Sequence, residues 1–312
     1  MAKDSPLVSG LIKQLIQKEA SVSEKKADLL CQKFSTLKDF HDADFMGKKF
    51  YDGDGVEIRL NEQQRSRLEA QKNNIDTKIG IKENWIFFLV RKFINQHTKN
   101  IQSLSLDDLI VNPFLIKALK LTSPKDVIKF SVNHTASISI VTSLGFTMEK
   151  ILGHSHENAR MGKQKEWYDV IKDSRNKKYW VQAKSGPNDV NKDQVKHMSA
   201  LFDKKETPND SPKLGILYGK KDMDTISLGH IKKYLNKWEN RLLVGKDLWD
   251  FISEEKDFHK KIFNTIETVT ANLPGNSIDQ EMDNAVARIT EQFEGKYGTG
   301  NDSVEKYLSA VM

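Results

Sequence analysis

Residues Trp167 to Asn188 read WYDVIKDSRNKKYWVQAKSGPN, and the fold follows from how this stretch is read. Trp167 to Ile171 and Lys178 to Lys184 are rich in aromatic and β-branched residues, which suit strands. The polar DSRNKK between them is turn chemistry, so the stretch predicts a β-hairpin centred near Arg175. Antiparallel pairing about that turn sets Asp169 close to Gln182. Gln182 and Lys184 lie two apart and share one face of their strand, while Val181 and Ala183 point into a core. A carboxylate, an amide and a lysine thus converge on one side of a ribbon that Ser185-Gly186-Pro187 ends. Alone, this pattern also fits an ordinary solvent-facing ribbon.

The residue types suit metal-dependent phosphodiester cleavage. A carboxylate holds a hard cation through oxygen, an amide carbonyl can be a weaker second ligand, and a lysine can position water and offset phosphate charge. Asp169…Gln182-Ala183-Lys184 resembles the D…(D/E)xK signature of the PD-(D/E)xK nucleases. The longer run VQAKSGPNDVNKDQ, with TSLGFTMEKI upstream, resembles type II restriction endonucleases of the branch that cuts degenerate, near-palindromic sites with a GG-N-CC core. The resemblance spans residues 80 to 255 or so. It departs from the pattern at Gln182, where the family carries Glu or Asp, which removes one negative charge from the site.

The resemblance implies Mg2+-dependent hydrolysis of both strands of a specific duplex, leaving 5′-phosphate and 3′-hydroxyl ends. Asp169 would be the principal metal ligand, Gln182 a second through its amide oxygen, and Lys184 the residue that orients water. Glu149, one helix upstream, would add a carboxylate and offset the neutral Gln182; it also reads as a surface helix charge. Glu166 is weaker, since strand alternation turns it from Asp169. For DNA contact the candidates are Asn188, Asn191, Lys192 and Gln194 after the catalytic strand, and Arg160, Lys163 and Lys165 before the hairpin. A two-fold site implies a homodimer, and a cognate DNA methyltransferase as functional partner.

Composition is compatible with this. Charged residues make up 29% of the 312 and hydrophobic ones 38%, normal for a globular chain, and the net charge of +6 suits a polyanion. Cys31 is the single cysteine, so no internal disulfide can form, and a cytoplasmic site is expected. The opening MAKDSPLVSGLIKQLI lacks a signal-peptide core, and no apolar run approaches membrane-spanning length.

The first 76 residues read as helical. Leu7, Leu11, Leu15 and Ile16 recur at helical spacing, and Ser23 could cap a second helix carrying Ala27, Leu29 and Leu30. KADLLCQKFSTLKDFHDAD resembles a helix-hairpin-helix module without its hairpin glycine, Ser35 standing nearest; a helical bundle without DNA contacts accounts for it equally. YDGDG, Tyr51 to Gly55, fails the calcium-loop pattern and reads as a turn. From Ile81 a core helix, KENWIFFLVRKFINQHTKN, precedes helices broken at Asn112-Pro113 and Ser123-Pro124. ISIVTSLGFTMEKILG reads as a buried helix with Ile138, Val141, Leu144, Met148 and Leu152 along one face. His154, His156 and Glu157 have no second ligand pair at zinc spacing. Leu214 to Tyr218 reads as a third strand, and YLNKWENRLLVGKDLWDFISE as helix and turn. Residues 256–312 read as helical with a break at Pro274-Gly275, and GKYGTGND lacks the Lys-Ser/Thr of a phosphate loop.

The expected fold is therefore α/β: a restriction-endonuclease-like mixed central sheet flanked by helices (77–312), with an all-helical N-terminal extension (1–76). Two other readings stay open: a DNA-binding protein that does not cut, and a non-catalytic basic scaffold.

Overall fold

A computed structural model describes residues 6–78, 80–163, 166–273, 275, 277–300 and 302–312. In chain order the helices are α1 Pro6–Lys13, α2 Glu24–Cys31, α3 Leu37–Asp42, α4 Glu62–Gln71, α5 Ile81–Ser103, α6 Pro113–Ala118 and α7 Pro124–Gly153. After the hairpin come α8 Lys192–Lys205, α9 Ile226–Tyr234, α10 Trp238–Arg241, α11 Lys246–Ser253, α12 Phe258–Asn272, α13 Ile278–Tyr297 and α14 Ser303–Ala310. The strands are β1 Ala159–Met161, β2 Val170–Ser174, β3 Lys177–Lys184, β4 Asp210–Ile216 and β5 Leu242–Val244, in the spatial order β1-β2-β3-β4-β5. β1, β2 and β3 pair antiparallel; β3, β4 and β5 pair parallel. The mixed sheet with its helices is the expected α/β architecture. No described helix is long and apolar enough to cross a membrane.

The chain divides into two units, one of residues 1–89 with 148–267 and one of 90–147 with 268–312. The first holds the sheet. α8 and α9 cover the face bearing Leu214 and Ile216, burying Val195, Met198, Phe202, Leu228 and Ile231. On the other face Gly215 of β4 lets Leu248 of α11 approach: a Cβ there would lie 2.9 Å from the Leu248 methyls and 3.0 Å from Val181. β4 and β5 end close together. Gly245 has φ +54°, and a Cβ on it would lie 2.5 Å from the Gly219 carbonyl oxygen, so only glycine fits.

The N-terminal helices belong to this unit too, Trp85 of α5 donating its ring N–H to the Leu7 carbonyl of α1 (3.2 Å). Leu7, Leu11, Leu15 and Ile16 are all buried, α1 running on into a π-turn over Gln14–Glu19. Phe34, Phe40, Phe45 and Phe50 form a cluster with centroids 5.3–6.1 Å apart, Phe34 meeting the other three edge to face. Arg65 of α4 closes it by donating to the carbonyls of Phe45 (2.8 Å), Lys48 (2.7 Å) and Leu60 (3.3 Å). Thr36 and Asp39 form a capping box on α3, whereas Ser23 stands at the α2 cap without a side-chain bond. DGDG is a turn: the Asp52 carboxylate accepts from the amides of Asp54 and Val56.

Among the described residues of the second unit every regular element is a helix. Its core joins Ile101, Ile116, Val127, Ile128 and Val132 to Ala285, Ile289, Phe293, Val304 and Tyr307. Arg288 of α13 donates to the carbonyls of Ile101, Gln102 and Leu104, satisfying the C-terminus of α5. Both proline breaks fall as expected, with Asn112 accepting from Leu115 N–H (3.1 Å) and Ser123 from Asp126 N–H (3.1 Å). Pro274 lies outside the described residues.

Three expectations need correction. The stretch after Ser123 is one continuous helix, and its middle is not buried: Ile138, Val141 and Leu144 are exposed. The third strand begins at Asp210 and ends at Ile216, not Leu214 to Tyr218. Pro212 disguised it; the proline is tolerated because β5 pairs only with Leu214–Ile216, leaving the Pro212 stretch paired with β3 alone. Leu242–Val244, read as part of a helix and turn, is an edge strand.

Candidate active site

The hairpin forms because β-branched and aromatic residues flank a turn of two residues, Arg175 and Asn176. Val170 pairs with Val181, Asp173 with Lys178 and Ser174 with Lys177. That register, continued one step, sets Asp169 opposite Gln182 as expected, and Asp169 N–H donates to the Val181 carbonyl (2.9 Å). The first strand starts at Val170, three residues later than the aromatic run predicts. Trp167 and Tyr168 precede it and pack on Trp180, at 6.3 and 4.6 Å between centroids. Glu166 is thus not on the ribbon at all. Lys172 is buried beneath β2, its ammonium 3.0 Å from Glu254 and over the Phe251 ring.

Val181 and Ala183 are buried, and Gln182 and Lys184 alternate with them on the other face. Asp169 is held from the partner strand: its Oδ2 accepts the Ala183 N–H at 2.7 Å. Burial raises the Asp169 carboxyl above its ordinary range, against the opposing pull of that amide and of Lys184. Glu149, near the end of α7, is brought to the same place. Burial first, then the Asp169 charge, push its carboxyl up to about 7, and Lys184 pulls the other way. Gln182 supplies the least expected feature: its Oε1 is buried with no hydrogen-bond partner. An orphaned buried oxygen costs roughly 1–3 kcal/mol. Asp169, Gln182, Lys184 and Glu149 all belong to the sheet-bearing unit. Among the described residues no group of three or more His, Cys, Asp and Glu is placed to hold a metal; this cluster has two carboxylates and an amide.

The loop after β3 is pinned. Gly186 N–H donates to Asp189 (2.6 Å), Thr225 Oγ1 to the Pro187 carbonyl (2.9 Å) and Ser227 Oγ to the Val190 carbonyl (2.6 Å). Tyr218, exposed beyond β4, lies so close to Gly186 that a Cβ there would sit 2.4 Å from its hydroxyl. Nothing in the sequence signals Tyr218, since its place depends on the parallel pairing of β3 with β4.

Of the DNA-contact candidates, Asn188 is exposed on this loop. Asn191 and Gln194 are exposed, but their amide oxygens accept each other's backbone N–H in the capping box of α8. Lys192 lies 5.6 Å from the centre of the Tyr234 ring. Arg160 pairs with Asp173, and Lys163 is exposed after β1. Lys165 lies outside the described residues. His154 stacks on Trp85 with centroids 3.8 Å apart, and burial pushes its imidazole down to about 4.

A family model for the type II restriction endonuclease EcoO109I matches residues 82–272, more than half of the chain. This chain belongs to that restriction endonuclease family. No curated protein matches it. Membership makes the chain a DNA-binding nuclease of the restriction type, and such endonucleases generally use divalent metal ions. The matched residues include the hairpin, α8, β4 and Glu149.

The raised carboxyl gives this endonuclease a pH signature. A folded value of about 7 against an ordinary 4.5 means that Glu149 favours the folded state fully below 4.5, and that this contribution is lost as pH rises through 7. Wild type in chelator should therefore lose melting temperature over that window, while Glu149→Gln should not. Above pH 7 the variant should melt higher than wild type. Parallel melting curves from pH 5 to 8.5 would show that the Glu149 carboxyl is not raised.

Proposed function

We propose that the chain is a Mg2+-dependent restriction endonuclease of the PD-(D/E)xK kind. It hydrolyses both strands of a near-palindromic duplex with a GG-N-CC core to 5′-phosphate and 3′-hydroxyl ends. The observation that carries this reading is the orphaned Gln182 oxygen on the strand opposite Asp169, together with a Glu149 carboxyl that feels both Asp169 and Lys184. Two carboxylates and an amide oxygen are hard donors that fit Mg2+. Asp169, Gln182 and Glu149 would hold it, and when bound it would supply Lewis acidity and a lowered pKa for water.

The protein's own part is placement. The Ala183 amide fixes one Asp169 oxygen and leaves the other free to bind. Glu149 replaces the charge that Gln182 lacks. Lys184 holds the attacking water by a hydrogen bond and offsets charge as the new P–O bond forms and the P–O3′ bond breaks. Asn188, Asn191, Lys192, Gln194, Arg160, Lys163 and Lys165 serve as DNA contacts. A homodimer places one site on each strand. A methyltransferase of the same specificity protects host DNA, and the pair acts in the cytoplasm.

Digestion of phage DNA with Mg2+ should give discrete bands. A specific gel shift without cleavage would instead favour a binder, to which the neutral Gln182 also points.

Residues 1–76 act as an accessory that grips phosphate through the α2–α3 connection, with residues 77–312 as the nuclease domain. Lys33 is exposed in that connection and Lys25 is exposed on the first turn of α2. The double change Lys25→Ala, Lys33→Ala should flatten the plot of log affinity against log salt by roughly 0.9 for each phosphate that the segment no longer neutralises. An unchanged slope would make the segment a structural bundle only.

A further inference from the structure

We propose that Tyr218 is a further DNA contact, its hydroxyl donating to the phosphate next to the scissile one. This rests on the restriction-endonuclease reading, which sets the scissile phosphate beside Lys184.

Tyr218 joins a fixed main chain to a side chain with nothing to do inside the protein. Leu217, before it, is bonded on both sides: its N–H donates to the Lys184 carbonyl (2.9 Å), and its own carbonyl accepts the Trp249 ring N–H (2.9 Å). Gly219, after it, has φ +110° and is backed by Gly245. Thr225 ties the far end of the turn to the Pro187 carbonyl (2.9 Å). Yet the Tyr218 side chain is 63% exposed. Among the described residues its ring stacks on no other and its hydroxyl has no hydrogen-bond partner. A ring left in water adds little to stability. Held on a rigid support, it is placed for something outside the chain.

The partner follows from where the ring lies. β3 and β4 run parallel with Lys184 opposite Ile216, so Tyr218 stands two residues further on, level with Gly186. Its tip rests there: a Cβ on Gly186 would lie 2.6 Å from the Tyr218 Cζ and closer still to the hydroxyl oxygen. Two residues of extended chain span roughly 6.6 Å, comparable to the step between neighbouring phosphates of one DNA strand. With Lys184 at one phosphate, the Tyr218 hydroxyl is therefore at the next. A tyrosine hydroxyl is a natural donor to phosphate oxygen, and such contacts set register rather than read sequence. In the turn itself Lys220 and Lys221 are offset by Asp222 and Asp224. What the turn offers a phosphate is a hydrogen bond rather than net charge.

The test uses the full-length chain as wild type, Tyr218→Phe and Gly186→Ala, with a plasmid that wild type linearises and a duplex carrying the cut site. Tyr218→Phe removes only the hydroxyl, and Gly186→Ala pushes the movable tip of the ring aside, so both should keep the wild-type melting temperature. Both should cleave about tenfold or more slowly in single turnover and bind the duplex in Ca2+ about tenfold more weakly, the loss of one hydrogen bond to a charged group. The slope of log affinity against log salt should not change, because a neutral hydroxyl displaces no counterion. A methylphosphonate in place of one phosphate beside the cut should slow wild type by a similar factor and Tyr218→Phe no further, since the two changes remove one interaction. Tyr218→Phe that cuts and binds like wild type, or that loses as much as wild type with the methylphosphonate on either side of the cut, overturns the contact. A wild type that cuts no DNA, yet binds plasmid DNA about tenfold more tightly than Tyr218→Phe does, removes the nuclease reading and leaves the contact standing. A wild type that neither cuts nor binds removes both.

Discussion

Lys184→Ala should stop DNA cleavage while leaving the protein folded and able to bind. Lys184 is half-buried at the end of β3, where its carbonyl accepts the Leu217 N–H (2.9 Å) just past the end of β4. That bond belongs to the backbone and survives the substitution. What disappears is an ammonium close enough to act on both Asp169 and Glu149. Removing one such group from a water-poor site costs about 10²–10³ in rate, and loss of water positioning adds a comparable factor. DNA affinity should stay within about tenfold, because one phosphate-facing charge is a small part of a multi-contact interface. Single-turnover cleavage and a binding titration in Ca2+ separate the two effects. Near-normal cleavage by the variant would take Lys184 out of the mechanism.

The second large effect concerns charge at the site. Gln182→Glu adds a carboxylate at unchanged side-chain length and should lower the Mg2+ needed for half-maximal cleavage, since ligand charge tunes affinity for hard cations. Glu149→Gln should do the reverse and cut the rate by about 10²-fold or more, leaving Asp169 as the lone carboxylate. The gain in Gln182→Glu should be larger at pH 8 than at pH 7. A third acid beside Glu149, already at about 7, holds protons that compete with the cation. Mg2+ titrations of the three proteins at both pH values decide this. Superimposable curves would mean that neither residue touches the metal.

Much of this site was legible because it is local. A hairpin with a two-residue turn fixes its own register, so WYDVIKDSRNKKYWVQAK placed Asp169 against Gln182 with no knowledge of the remaining chain. Pro113 and Pro124 likewise marked helix starts. What escaped depends on partners distant in sequence. Pro212 concealed most of β4, because a proline reads as non-strand unless one knows that no strand flanks it on its open side. Leu242–Val244 is too short to show a period. The apolar face of α7 was assigned to the core because periodicity reports which side of a helix is apolar, not what covers it. The unpartnered Gln182 oxygen is invisible for the same reason: a sequence shows an amide, not whether anything bonds to it.

The meeting of Gly219 and Gly245 bears on how this chain tolerates change. With the Gly219 carbonyl standing where a Gly245 side chain would begin, no substitution at 245 is mild. A saturation library should show that position as intolerant as Asp169, though it touches neither DNA nor metal. The two kinds of intolerance part under selection. Loss at Asp169 should leave folded protein without cleavage, whereas loss at Gly245 should remove the protein itself. A screen that reads only survival against phage would score them alike, and one that also reads abundance would tell the scaffold from the chemistry.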